Sequence, residues 1–325
     1  MSIFGSEKII NIITPQDDLN IFYAGFDFGV YRYDELVDQI NDVIVDFSYG
    51  FHDGILEDNY NRSILKEAAK SIYGIKAFQD SKTKYVDEDS ELADDIEDKY
   101  LKRGEFGELI LHLLLRDFHS SLPLLSKVYF KDTDGATVHG FDSVHIAPDL
   151  NDSTKMSLWL GESKLYRDGK AGVYNLTKDI EEHFNEDYLR REFALISKKK
   201  ESYIALDRFK DLNKTDDYKS YLEEKDKWYD LLDEKNKLED IISSVTVPMV
   251  CTYSSEVFNN NDNEDAEGFK DELSNEITQI KAHFDKHLKT PIPADINILL
   301  ILFPVPSKKE LVKKLHIKLD HLQNI

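Results

Sequence analysis

Apolar positions recur with a period of two over three stretches in the middle of the chain, Ser126 to Lys131, Val138 to Ala147 and Ser157 to Lys164. That period predicts strands, and the turn signals between them, Asp134-Gly135 and Pro148 through Ser153, predict a meander. A helical period precedes the meander over Leu101 to Phe118 and follows it over Ala171 to Phe184, the latter predicted to pack on the sheet. Two further runs, Val245 to Tyr253 and Ile296 to Phe303, are β-branched or leucine-rich and bounded by proline or polar residues. They are expected to be buried strands that extend the sheet.

The flanking regions carry shorter patterns. Phe22, Tyr23, Phe26, Phe28 and Tyr31 predict strands or a tight hairpin broken at Gly25 and Gly29. Glu35 to Phe47 and Asn61 to Ile75 predict amphipathic helices, and Gln79 to Lys99, polar and acidic, a mobile surface loop running into a helix start. From Glu186 to Ser243 the chain is predicted helical and heavily charged. Asn259 to Glu267 is expected to be a loop, Phe269 to Leu288 a helix, and Lys308 to Leu322 a closing helix. The closing helix has leucines on one side and Lys309, Lys313, Lys314 and Lys318 elsewhere. The whole is expected to be a single α/β domain of residues 1–325, with an N-terminal elaboration (1–95), a core (96–185) and a helical, sheet-completing remainder (186–325).

The same periods sort the candidate chemistry onto faces. Glu162 and Lys164 alternate with Gly161 and Ser163, so both charged groups leave one face of the strand. Asp142 shares a face with Val138, Gly140, Val144 and Ile146, while His139 and His145 take the other, where ordinary packing or surface roles are expected. On the first helix Glu105, Glu108, His112 and Arg116 form one polar stripe in an otherwise apolar cylinder, which must face either solvent or a polar site. Arg167 and Lys170, just beyond Lys164, either touch phosphates or occupy a solvated loop. The lysine runs Lys198-Lys199-Lys200 and Lys225-Asp226-Lys227 are expected to be solvated faces, given the interspersed acids.

Charge changes this picture. With 63 acidic against 41 basic residues the formal net charge is -22, which repels a polyanion over most of the surface. Action on nucleic acid then requires a local basic lining, a divalent metal or a partner. The single cysteine, Cys251, excludes an intrachain disulfide, and no apolar run is long enough to span a bilayer, so a cytoplasmic protein without membrane attachment is expected. Neither a dinucleotide-binding nor a P-loop glycine pattern is present.

A helix carboxylate, then Asp142, then Glu162-x-Lys164 on a later strand resembles the PD-(D/E)xK nuclease core, a restriction-endonuclease-like fold with a mixed central sheet flanked by helices. Phe141-Asp142 stands where the pattern has Pro-Asp. More closely, RGEFGELILHLLLRDF, GATVHGFDSVHI and LWLGESKLYRDGKAGV resemble the DUF1837 family, the nuclease subunits of Hachiman antiphage defence. The resemblance implies a DNA-degrading effector with Asp142, Glu162 and Lys164 as catalytic residues. It implies Mg²⁺, with Mn²⁺ as a substitute, held by Asp142, Glu162 and one of Glu105 and Glu108. It also implies control by a HamB-like superfamily 2 helicase. The alternative from a different class is a catalytically silent subunit that binds and regulates such a helicase.

Overall fold

In a computed structural model of the chain the described residues are 4–50, 62–73, 76–94, 105–125, 140–198, 216–233, 236–289 and 296–324. Nine strands are present among them: β1 (Ile10–Gln16), β2 (Leu19–Ala24), β3 (Phe26–Asp27), β4 (Val30–Tyr31), β5 (Leu122–Leu125), β6 (Ser143–Pro148), β7 (Met156–Tyr166), β8 (Val245–Ser254) and β9 (Asn297–Val305). Seven form one mixed sheet in the order β1-β2-β9-β8-β7-β6-β5, and β3 with β4 makes a separate small hairpin. The ladders from β2 through β9 and β8 to β7 are parallel, and those at either side are antiparallel. The expected α/β architecture with a restriction-endonuclease-like mixed sheet is thus present.

The predicted sheet extension is realised in full. Val245–Ser254 and Asn297–Val305 lie at the sheet centre, nearly every residue buried, as strands covered on both faces must be. The meander order β5-β6-β7 is also found. Its first strand is Leu122–Leu125, ahead of the expected Ser126–Lys131, which lies outside the described residues together with the Asp134-Gly135 turn and His139. Strand β1, outermost and mostly exposed after Ile10, escaped the pattern because only one of its residues is buried.

The helices are α1 (Tyr33–Asp42), α2 (Ile44–Tyr49), α3 (Arg62–Tyr73), α4 (Lys76–Lys82), α5 (Glu105–Phe118), α6 (Gly169–His183) and α7 (Glu186–Lys198), then α8 (Asp216–Leu231), α9 (Leu238–Ile242), α10 (Val257–Asn260), α11 (Glu267–His287) and α12 (Lys308–Gln323). The helix expected over Glu35 to Phe47 is two, interrupted at Val43. Gln79 to Lys99 was expected to be a loop. Its described part instead continues α4 into a π-helical turn at Thr83–Asp87 and then an extended segment to Asp94. The correction follows from tertiary contact: Tyr85 is buried, and Asp94 accepts hydrogen bonds from the Arg167 backbone N–H (2.8 Å) and the buried Lys308 ammonium (3.0 Å).

Helix α5 is buried on every residue from Glu105 to Asp117. Its polar stripe faces neither solvent nor a single site. His112 Nε2 and Arg116 Nε converge on one oxygen of the buried Asp46 of α2, at 2.7 and 2.6 Å. The second nitrogen of His112 lies 3.1 Å from His145 Nε2, and His145 Nδ1 lies 2.8 Å from the Ser121 hydroxyl. Burial pushes the pKa of both histidines below the usual value, well below it at His145. With both rings neutral, one proton order satisfies every pair: Ser121 donates to His145, His145 to His112, and His112 to Asp46. His145 is therefore a core residue, as its opposite face implied, and Ser121, fully buried, is a link in the chain rather than an exposed nucleophile.

The basic faces of the closing helix and of residues 225–227 fall among the described residues. Lys309 and Lys313 pair with Asp89, Lys314 with Asp34, and Lys318 with Asp38, so α12 presents lysines already met by acids of its own chain. Lys225, expected to be solvated, is buried on α8, where burial drives its pKa far down. Lys227 is exposed and pairs with Glu224, while Lys199 and Lys200 lie outside the described residues.

Candidate active site

The site lies on the carboxy-terminal half of β7, a central strand whose Glu162 pairs in register with Met249 of β8 and Lys164 with Cys251. The period-two expectation holds. Ser163 meets Gly107 of α5 on one face, and Glu162 and Lys164 meet α6 on the other. Close approach on both faces depends on missing side chains. A Cβ at Gly161 would collide with Ser143 and Leu111, and one at Gly172 of α6 with Cys251.

Asp142 sits in a bend immediately before β6 rather than within the strand. One of its oxygens, Oδ2, accepts hydrogen bonds from the backbone N–H (2.8 Å) and hydroxyl (2.7 Å) of Ser163, which brings it to the Glu162 end of the antiparallel ladder. The structure thus joins Asp142, Glu162 and Lys164. It adds two residues that the sequence reading passed over: Asp179 forms an ion pair with Lys164, and His183 Nδ1 lies 2.7 Å from Glu162 Oε1. Both belong to the helix read only as sheet-packing. Their signal was present, because Gly172, Leu176, Asp179 and His183 recur at helical spacing on one stripe, so two ionisable residues fall on the buried face.

Electrostatics bind the group together. Burial raises the Glu162 pKa to about 7, the nearby Asp142 and Asp179 charges adding to it and the His183 hydrogen bond opposing it. Burial disfavours the Lys164 ammonium, yet Asp179, Glu162 and Asp142 outweigh it and hold its pKa above the ordinary lysine value. Lys164 is therefore charged at any physiological pH. Three acids around one ammonium, with His183 drawn toward its charged form by Glu162, leave a surplus of acidic groups in a largely buried place.

That surplus is chemistry suited to a divalent cation. Among the described residues Asp142 Oδ1 and Glu162 Oε2 accept no hydrogen bond, while the other oxygen of each is fixed by the protein. No three potential ligands converge into a finished cage among the described residues. Two carboxylates with water completing the shell is what Mg²⁺ commonly accepts. Glu105 and Glu108 are buried in the first turn of α5, the helix that covers the opposite face of β7.

Arg167 and Lys170 are exposed at the carboxy end of β7. Asp94 takes the Arg167 backbone N–H, and the Lys170 ammonium donates to Gln279 (3.1 Å). A separate cavity of about 490 Å³ lies between the β1–β2 hairpin and α11, floored by Ile21, Phe269 and Leu273, and includes none of the acid cluster.

Gly172→Val is expected to lift α6 from β8 and separate Asp179 and His183 from their partners, at about 1–3 kcal/mol of stability. A lowered thermal midpoint, with altered exchange of the α6 amides, checks this.

A seven-stranded mixed sheet with a parallel centre, flanked by helices, makes this an α/β protein of the restriction-endonuclease-like class. The HamA family model matches residues 3–319, nearly the whole chain, and the chain belongs to this family of the Hachiman antiphage defence system. A comparison with curated proteins gives no match. No helix among the described residues is long and apolar enough to cross a membrane.

Proposed function

We propose that this chain is the DNA-cleaving effector of its antiphage system, a metal-dependent nuclease that hydrolyses phosphodiester bonds with little sequence specificity under the control of a HamB-like superfamily 2 helicase. The observation that carries the reading is the meeting of Asp142, Glu162 and Lys164 beside one strand, with one oxygen of each acid that accepts no hydrogen bond among the described residues. These oxygens are the ones that would hold Mg²⁺ or Mn²⁺; either ion, when bound, supplies Lewis acidity toward the scissile phosphate and toward water. Lys164, kept charged by its three acids, offsets the negative charge that grows on the phosphoryl oxygens as the water attacks. Ser163 fixes Asp142 through two hydrogen bonds, so that acid needs no reorganisation.

The net charge of -22 and the internally paired lysines of α12 support the role given to the partner. Free in solution the chain repels DNA, and the helicase brings it to its substrate. Purified chain with plasmid DNA and Mg²⁺ or Mn²⁺, with and without the helicase and ATP, tests the proposal. Metal-dependent degradation is expected, and its absence from the Glu162→Ala, Lys164→Ala protein. Degradation that survives the double substitution refutes this site. A folded wild-type chain that binds its partner but never cleaves favours the regulatory subunit instead.

A further inference from the structure

We propose that Asp179 and His183 are positioning residues of this centre, Asp179 holding the Lys164 ammonium and His183 holding the Glu162 carboxylate in the orientation that cleavage uses. The inference rests on the metal-nuclease reading given above. The two side chains stand one turn apart on α6 and meet two side chains that stand two residues apart on β7. Helix rise per turn and strand rise over two residues are both about 5–7 Å, so one helical stripe matches one strand face contact for contact.

His183 is itself held in place. Its ring stacks on Tyr188 of α7 (centroids 4.7 Å apart, planes at 15°) and meets Phe141 edge-on at 6.1 Å. A ring gripped on two sides has little freedom in χ2, and the carboxylate that it bonds inherits that order. With Oε1 committed to His183, Oε2 is the oxygen that Glu162 has left for a ligand beside the nearby Asp142. Without His183 the carboxylate would rotate, and a ligand would meet one fixed orientation of it only part of the time.

Asp179 does the corresponding work on the ammonium. Lys164 has four rotatable bonds, and only the ion pair to Asp179 fixes its Nζ among the described contacts. Phe141 also explains the residue found in place of proline before Asp142, since it forms one wall of the His183 cage.

Mn²⁺ binding to the chain alone, followed by electron paramagnetic resonance, reads the His183 arm without any need for turnover. His183→Ala is expected to weaken Mn²⁺ binding by about 10- to 100-fold, and His183→Gln, which keeps a donor, to recover most of it. In plasmid cleavage at saturating Mg²⁺, Asp179→Ala is expected to lower the maximal rate by about 10- to 100-fold, with Asp179→Asn in between. Thermal melts of the Gln and Asn proteins establish that these variants fold. If His183→Ala binds Mn²⁺ as tightly as wild type or more tightly, or Asp179→Ala cleaves at the wild-type rate, the inference is overturned. Glu162→Ala separates the two readings: loss of Mn²⁺ binding and cleavage there, with both α6 variants unaffected, removes the positioning roles and leaves the nuclease. A wild-type protein that neither binds Mn²⁺ nor cleaves removes both.

Discussion

Glu162→Gln is expected to reduce metal-dependent DNA cleavage by at least about a hundredfold and, in metal-free buffer at pH 8, to raise the unfolding temperature. The two effects share one cause. Folding moves the Glu162 pKa from 4.5 to about 7, with burial first and the neighbouring Asp142 and Asp179 charges second. Below pH 4.5 the side chain is protonated whether folded or not, and it contributes no penalty. Between pH 4.5 and 7 the unfolded chain releases a proton that the folded chain keeps, so stability falls as pH rises, and above 7 the penalty is complete. Its size is on the order of 1–3 kcal/mol. Glutamine is neutral and keeps an oxygen for His183. The variant should therefore outlast wild type at pH 8, and the difference should vanish near pH 4.5. Saturating Mg²⁺ should reverse the order at pH 8, because only wild type then gains binding energy. Melting curves at the two pH values, with and without Mg²⁺, check all three statements, and equal curves throughout would contradict the charge crowding.

Asp46→Ala is expected to destabilise the fold by about 3–5 kcal/mol, far more than loss of an exposed acid. Arg116 is 1% exposed, does not deprotonate, and has its Nε on Asp46. Its carboxylate partner also terminates the proton order that runs from Ser121 through His145 and His112. Removal takes a carboxylate away from a buried guanidinium, which keeps its bond to the Ser121 carbonyl, and leaves His112 without the Asp46 acceptor. Asp46→Leu combined with Arg116→Met removes both charges and should recover a large part of the loss, since apolar replacement of a whole buried pair is often tolerated. Urea denaturation of the single and double variants gives the comparison. A single variant within about 1 kcal/mol of wild type would mean that the pair is dispensable.

The strands and most helices were legible because their signals are local. Glu162 and Lys164 could be placed on one face from alternation alone, and the runs at residues 245–253 and 296–303 announced buried strands that extend the sheet. What sequence could not show was which faces meet. The stripe from Glu105 to Arg116 is visible as a pattern, but Asp46, which takes half of it, is 66 residues distant from His112. Asp94 looked like one more acid in a solvated stretch, yet it holds a backbone N–H at Arg167 and an ammonium at Lys308. Asp179 and His183 are an intermediate case. Their position on the buried stripe of α6 was readable, and only the assumption that a sheet-packing helix carries no chemistry hid them.

The order of strands sets a schedule for synthesis. Residues 297–305 fill the gap between β2 and β8, so a strand translated after β8 joins the β1–β2 hairpin to the rest of the sheet. Until it arrives, β2 and β8 each have an unpaired edge, and pairing across so long a sequence separation is slow in any case. Glu162 and Lys164 of β7 are translated well before the strand that lies beyond β8. A nascent or prematurely terminated chain would therefore carry Glu162 and Lys164 without the strand that completes the sheet around them.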